Sequence, residues 1–378
     1  MTKNYIDEAL SLDKVIIAGG GTGGHLYPGL AVAGQLKKRN PNMDILFVGT
    51  ENGIEATILP LEGYNIKFIQ AGGFVRVSII KKIKTLYKLF ISLFQMYSFY
   101  SDWQPDIVIG TGGYASFVPV LVASLMSIPT IILEQNSVPG LSNKLLGRFA
   151  DRICITDESS SSAFPKEKIF ITGNPVRDLT EGIDKKAAYE LFGLDDKKFT
   201  ILIFGGSAGA VAINNAIMEA IVYLMDIKED IQFLHQSGKA DYATVRQAYM
   251  SYDCSGTVAP FIYQMPQAYA IADIVISRAG ATTLAEITSL GIPSILIPYP
   301  YAAMAHQELN ANRLSSEGAA IMIKEDVLNG KQLAEEIRKL YLDKGYREKI
   351  RGKCRVLGKP DAAKRVIEII INLYKYSE

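Results

Sequence analysis

The sequence is short of the residues that build disulfides and metal sites. Its 378 residues include three cysteines, three histidines and one tryptophan. Cys154, Cys254 and Cys354 stand far apart with no C-x-x-C pair. That spacing argues against a disulfide framework or a zinc site and fits free thiols in a reducing compartment. No D-x-D triplet and no histidine cluster offers metal-ligand spacing, so no metal site is assigned and magnesium dependence stays open. Excess charge is missing too: 40 basic against 39 acidic residues give a net charge of +1 and no reason to expect nucleic acid. No uncharged apolar run reaches the ~18–20 residues that span a bilayer. The first residues, MTKNYIDEALSLDK, lack the layout of a signal peptide.

What is present is alternation. Short β-branched runs at 15–18, 45–48, 66–69, 107–109, 130–133, 153–156 and 169–172 read as buried strands, with helical segments such as 29–38 and 142–149 between some of them. A polar, turn-rich stretch at 173–198, with a helical patch at 186–192, reads as a domain junction. The pattern restarts at Thr200, with further strands expected at 231–234, 274–277, 295–298 and 320–323 and a final helix at about 361–375. Both halves open alike: VIIA leads to GGGTGGH, and ILIF leads to GGSAGA. The expected fold class is α/β, two Rossmann-like domains with mostly parallel sheets facing a cleft.

Three glycine loops follow strands: 19–25 (GGGTGGH), 110–114 (GTGGY) and 205–210 (GGSAGA). Glycines there let helix-terminal N–H groups approach a phosphate, although each loop alone is equally a tight strand–helix turn. The first fits G-x-G-x-x-G, but a dinucleotide site needs an acid at the end of the second strand, and there Asp44 comes too early and Glu51 falls past Gly49, a poor match. GGSAGA lacks the G-K-[ST] ending of a nucleotide-hydrolysing P-loop. In SRAGATTLAEI, Glu286 sits in the first turns of a helix, where it either accepts from a ribose diol or complements the helix dipole.

GGGTGGHLYPGLAVA, GTGGYASFVPV, LEQNSVPGLSNKLL, GNPVR, FGGSAGAVAINNA, HQSGK, SRAGATTLAEI and HQELNAN occur in that order from about residue 14 to beyond 320. Together they resemble the MurG family, bacterial peptidoglycan N-acetylglucosaminyltransferases of the two-Rossmann-domain (GT-B) class. The resemblance implies transfer of GlcNAc from UDP-GlcNAc to the C4 hydroxyl of MurNAc in undecaprenyl-pyrophosphoryl-MurNAc-pentapeptide (lipid I). The product would be β-1,4-linked lipid II, formed with inversion. It implies an acceptor- and membrane-facing domain at 1–176, joined by a helix at about 361–378 that packs back on it, and a donor domain at 177–360. Donor contacts carried over by motif are Thr22, Gly23, Gly24, Asn136, Arg177, Ser207, Ile262, Ala281, Thr282, Thr283, Leu284, Ala285, Glu286 and Gln307. Ser207 and Arg177 would meet the UDP phosphates, the Ile262 backbone the uracil edge, and Glu286 the ribose. Acceptor contacts would be Gly21, His25, Gly112, Gly113, Tyr114 and Ser116. Ala208 stands where family members often have Gln, removing one polar group near the phosphates.

Inversion in one displacement needs a base for the acceptor hydroxyl. His25 is the candidate, since a free imidazole titrates near ~6.5; the alternative is that it orients the acceptor or its pyrophosphate. Glu134 could serve as base but ends a strand and reads as buried, His306 would support the donor, and His235 reads as structural. No cofactor beyond the substrates is expected. From Gly63 to Ser101 there is no Asp or Glu. Phe74, Arg76, Ile79, Ile80, Lys81, Lys82, Ile83, Lys84 and Lys88 lie there, a basic and apolar patch suited to anionic lipids of the cytoplasmic leaflet. The plain alternative is an amphipathic helix with Lys81, Thr85, Lys88, Ser92 and Gln95 on its polar face. Peripheral attachment to the cytoplasmic face of the plasma membrane is the expected location. Partners among cell-wall synthesis or division proteins are admitted, and nucleic acid is not. The rival readings are a UDP-GlcNAc 2-epimerase and a non-catalytic UDP-sugar-binding scaffold.

Overall fold

The computed structural model describes residues 12–70, 79–179, 182–206 and 209–375, with the backbone alone at 79–88. The chain divides into two compact units, Met1–Arg177 with Asp361–Glu378, and Asp178–Pro360. Among the described residues each is built round one parallel sheet, as the alternating pattern predicts.

In the first unit, β1 (Lys14–Gly19), β2 (Asp44–Gly49), β3 (Asn65–Phe68), β4 (Ile107–Gly112), β5 (Thr130–Glu134), β6 (Arg152–Ile155) and β7 (Ile169–Ile171) lie in the order β3-β2-β1-β4-β5-β6-β7. The central strands are continuous aliphatic runs because helices cover both faces of the sheet. The order reverses between β1 and β4, so a crevice opens at their carboxyl ends. The loops 19–25 and 112–114 leave the sheet at that point.

The second unit holds β8 (Phe199–Phe204), β9 (Ile231–Gln236), β10 (Gly256–Ala259), β11 (Ile274–Ser277), β12 (Ser294–Leu296) and β13 (Ile321–Met322), ordered β10-β9-β8-β11-β12-β13. Its reversal lies between β8 and β11, the strands that lead into GGSAGA and SRAGA. The sequence reading lacks β10, a four-residue strand too short to show a period.

Helix α1 (Gly23–Arg39) starts six residues before the expected position, so half of the first glycine loop is helix. Thr22 is its extended N-cap residue, and its hydroxyl makes no capping bond. Helix α2 spans Glu55–Leu61, α3 Ile79–Trp103 and α4 Tyr114–Leu125. The terminal helix, Ala362–Lys375, inserts Val366, Ile367, Ile370 and Leu373 into the first unit's core beside Leu26 and Leu30 of α1, an apolar stripe at helical spacing.

The expected polar face of α3 is corrected at Ser92. That residue is fully buried, and its hydroxyl donates to the Gln70 carbonyl at 2.9 Å. Met96 and Tyr100 pack inward with it, whereas Phe90, Phe94 and Tyr97 face out, 55%, 75% and 57% exposed. The helix therefore presents aromatic rings outward, and its buried Ser92 and Tyr100 hydroxyls donate to the Gln70 and Pro119 carbonyls. Phe74 and Arg76 of the expected lipid patch lie outside the described residues, as do the side chains of Ile79, Ile80, Lys81, Lys82, Ile83, Lys84 and Lys88. No helix among the described residues is long and apolar enough to cross a membrane.

Candidate functional site

In the first unit the site grows round His25, on the first turn of α1. Its Nδ1 lies 3.2 Å from the Thr111 carbonyl oxygen. A carbonyl only accepts, so in the neutral ring the proton sits on Nδ1 and the lone pair on Nε2. The same carbonyl accepts from the buried Gln135 amide at 2.9 Å. Gly112 and Gly113, expected at the acceptor, also make room for this ring. A Cβ at Gly112 would lie 2.7 Å from His25 Nδ1, and one at Gly113 would lie 2.8 Å from the Gly20 carbonyl. Both have positive φ, +100° and +78°, which a side chain would strain. Tyr114 is exposed at the start of α4.

Two expected acceptor contacts are corrected. Ser116 is fully buried, and its hydroxyl donates to the Gly113 carbonyl at 3.0 Å, within the first turn of α4. Gly21 does offer its N–H to an anion, but the anion is the protein's own: Glu55 Oε2, at 2.7 Å. Glu55 is fully buried, and its other oxygen accepts from the Thr50 N–H and hydroxyl, each at 2.9 Å. Glu55 is not the strand-end acid of the dinucleotide pattern, since it opens α2. It sits beneath the glycine loop, and the amide it holds is denied to a cofactor pyrophosphate. The signal available in the sequence was GTENGIE, two glycines that lead into a carboxylate at a helix start.

Glu134, weighed as a base, is buried at the end of β5. It accepts from the Asn136 N–H at 2.9 Å, the Asn136 amide at 3.3 Å, the Gly140 N–H at 3.1 Å and the Asn143 amide at 3.0 Å. Burial pushes its carboxyl above the usual range, and those hydrogen bonds oppose the push. Glu134 thus shapes the loop that carries Asn136. Arg177, the last residue of the first unit, lies over the Tyr27 ring at 4.2 Å and 3.6 Å from Glu62. Its side chain is 17% exposed.

In the second unit, the helix Ala281–Leu290 starts directly after Gly280. Ala281, Thr282 and Thr283 form its first turn, whose amides have no intrahelical acceptor. Leu284 is corrected: its side chain is in the core, and its N–H bonds the Gly280 carbonyl. Ala285 lies one position further along the helix. Glu286, mostly buried, accepts from the Tyr269 hydroxyl through Oε2 at 2.9 Å. Gln307, on the helix His306–Ser316, accepts the Tyr299 N–H at 3.0 Å. His306 Nδ1 donates to the Ala303 carbonyl at 2.7 Å.

Ile262 is corrected in part. Its N–H donates to Gln236 Oε1 at 2.8 Å, so only its carbonyl is left for a uracil edge. Ser207 and Ala208 lie outside the described residues. His235 is fully buried between the Tyr249 hydroxyl and Asn214 Oδ1, each at 3.1 Å, and burial lowers its pKa to about 3. It belongs to the core, as its apolar strand suggested. No group of three or more His, Cys, Asp or Glu side chains that could hold a metal converges among the described residues. Glu55, Gln135, Gln236 and Tyr269 were all missed as supports of the site.

Comparison with known proteins adds an independent line. Residues 15–155 match the glycosyltransferase family 28 N-terminal domain, and residues 200–366 match its C-terminal domain. A UDP-N-acetylglucosamine–N-acetylmuramyl-(pentapeptide) pyrophosphoryl-undecaprenol N-acetylglucosamine transferase of Thermodesulfovibrio yellowstonii is 48% identical over 96% of this chain and 99% of its own length. The crystal structure of Acinetobacter baumannii MurG superposes with a TM-score of 0.71 at 29% identity, over 95% of this chain and 99% of that one. A UDP-GlcNAc 2-epimerase of Neisseria meningitidis superposes with a TM-score of 0.68 over 95% and 99% of the two chains, at 17% identity, a likeness of fold alone. The chain belongs to the MurG family, the UDP-N-acetylglucosamine–N-acetylmuramyl-(pentapeptide) pyrophosphoryl-undecaprenol N-acetylglucosamine transferases of glycosyltransferase family 28.

Proposed function

We propose that this chain transfers GlcNAc from UDP-GlcNAc to the C4 hydroxyl of MurNAc in lipid I, giving lipid II and UDP. Membership of the family over nearly the whole chain carries the reading, and the geometry supplies the parts. His25 Nε2 takes the proton of the acceptor hydroxyl. The oxygen attacks the anomeric carbon while the bond to the UDP β-phosphate oxygen breaks, and UDP leaves with the electron pair. One displacement inverts the configuration, and positive charge spreads to the ring oxygen on the way. The Nδ1–H bond to Thr111 supports the base role over mere orientation, because it leaves Nε2 basic.

Charge on the departing UDP is met by Ser207, by Arg177 and by the first-turn amides of Ala281–Thr283. Glu286 accepts from the ribose hydroxyls, and the Ile262 carbonyl meets the N3–H of the base. Thr22, Gly23, Gly24, Asn136 and Gln307 address the donor sugar; Gly112, Gly113 and Tyr114 address the acceptor. The lysines of α3 and the outward Phe90, Phe94 and Tyr97 rest on the anionic leaflet that displays the acceptor.

Purified protein with labelled UDP-GlcNAc and a lipid I analogue tests this. Labelled lipid-linked disaccharide is expected. Formation of UDP-ManNAc, or UDP binding without turnover, overturns it. Parallel reactions with EDTA and with added magnesium settle the metal requirement.

A further inference from the structure

The HQSGK segment contains a residue that neither the expected contacts nor the proposed reaction uses. Gln236 is the last residue of β9. In the sheet register it faces Phe204, the last residue of β8, on one side and Ala259, the last of β10, on the other. Its side chain reaches the loops that follow both neighbours. Nε2 donates to the Gly206 carbonyl at 2.8 Å, and Oε1 accepts the Ile262 N–H at 2.8 Å. Gln236 is 4% exposed and Ile262 3%. The Gly206 carbonyl also accepts the Gly209 N–H at 3.1 Å. A Cβ on Gly209 would lie 2.3 Å from the Ser237 carbonyl oxygen, so Gly209 is seated against the exit of β9.

We propose that Gln236 is a positioning residue for the donor nucleotide: its amide locks the Gly206 peptide after β8 and the Ile262 peptide after β10 into one arrangement. This rests on the reading of the second unit as the UDP-GlcNAc site. An amide does both in its one protonation state: its N–H₂ donates to Gly206 and its oxygen accepts from Ile262. Holding the Gly206 carbonyl on two donors keeps its negative end off the diphosphate, while holding the Ile262 N–H sets the orientation of the peptide that meets the base. Both bonds are buried, so removing the amide leaves two backbone groups unsatisfied.

Two substitutions separate the bonds. Gln236→Glu keeps an acceptor for Ile262 and, once ionised, has no donor for Gly206. Gln236→Met loses both at similar volume. Binding of UDP and of uridine to the full chain is measured by calorimetry, beside steady-state transfer and thermal unfolding. In Gln236→Glu, UDP should weaken about tenfold with uridine within about twofold of wild type. In Gln236→Met, uridine should weaken about tenfold and UDP by more than in Gln236→Glu, KM for UDP-GlcNAc should rise in step with UDP, and kcat and the acceptor KM should stay within about threefold. Wild-type affinities in Gln236→Met, equal losses of UDP and uridine in Gln236→Glu, or loss of cooperative unfolding in place of the selective shift would overturn the proposal. Wild-type protein that binds UDP and transfers nothing would sink the transferase reading and still leave the Gln236 comparison readable.

Discussion

The Tyr269 hydroxyl donates to Glu286 Oε2 at 2.9 Å, and both side chains are buried. The carboxylate assigned to the ribose is therefore aimed by a residue 17 positions earlier in the chain. Tyr269→Phe keeps the ring, with its edge contact to Phe204, and removes only the hydroxyl. A hydrogen bond to a charged group contributes about 1.5–3 kcal/mol. KM for UDP-GlcNAc should rise about tenfold while kcat moves little, as steady-state kinetics will show. An unchanged KM would mean that Glu286 needs no such partner.

His25 and Gly112 should behave as one unit. Removing the base by His25→Ala should cost about 10²–10⁴ in kcat and leave UDP affinity, measured by calorimetry, unchanged. Gly112→Ala places a methyl 2.7 Å from Nδ1 at a backbone φ of +100°. It should reproduce most of the loss in kcat with the imidazole still present. Normal turnover in Gly112→Ala would contradict the assigned seat of the ring.

Glu134 and His25 are told apart by pH. Glu134→Gln turns an amide N–H₂ toward donors on Asn136, Gly140 or Asn143. It should lower kcat/KM for the donor about tenfold or more and leave the acid limb of the pH–rate profile in place. His25→Ala should abolish that limb. A limb lost in Glu134→Gln instead would make Glu134 the base.

Acid should weaken the second unit through His235. Its folded pKa of about 3 lies below the ordinary 6.5. Unfolding therefore takes up a proton below the unfolded value. The stability is complete above that value and drains away as pH falls toward the folded one. The slope from one such group is about 1.4 kcal/mol per pH unit. Urea titrations at about pH 7 and about pH 5 should show it in wild type and not in His235→Gln.

For the lipid surface, changing Lys81, Lys82 and Lys84 together to Glu reverses three charges worth about 1 kcal/mol each near an anionic bilayer. Sedimentation with anionic vesicles should fall steeply, and transfer to a short-chain soluble acceptor should survive. Phe94→Ser should weaken vesicle binding without that dependence on lipid charge. Unchanged vesicle binding in both would leave α3 an ordinary surface helix.

Strands with a strong aliphatic signal, such as β1 and β8, were legible in the sequence, and so were the loops at the two strand-order reversals. The start of α1 was not, because GGH carries loop composition into a helical turn. Nor was the face of α3, where a lone buried serine finds a backbone carbonyl and aromatic rings turn outward. The residues proposed to address ligands show as motifs, because glycines and polar groups cluster after strands. Those that hold them show no such cluster. Glu55 meets Gly21 across 34 positions, and Gln236 meets Ile262 across 26. Such pairings exist only once the sheet order is known.

The membership of Ala362–Lys375 in the first unit bears on how the protein is made. The ribosome finishes the Met1–Arg177 segment early, yet the side of α1 that receives Val366, Ile367, Ile370 and Leu373 stays bare until the entire Asp178–Pro360 unit has been translated. At about 5–20 residues per second, that wait is roughly ten to forty seconds. The continuous second unit can complete its core while the first is still waiting. During that interval the nascent chain carries an uncovered aliphatic groove, the kind of surface that chaperones cover, and a message truncated before the codon for Val366 would leave it permanently open.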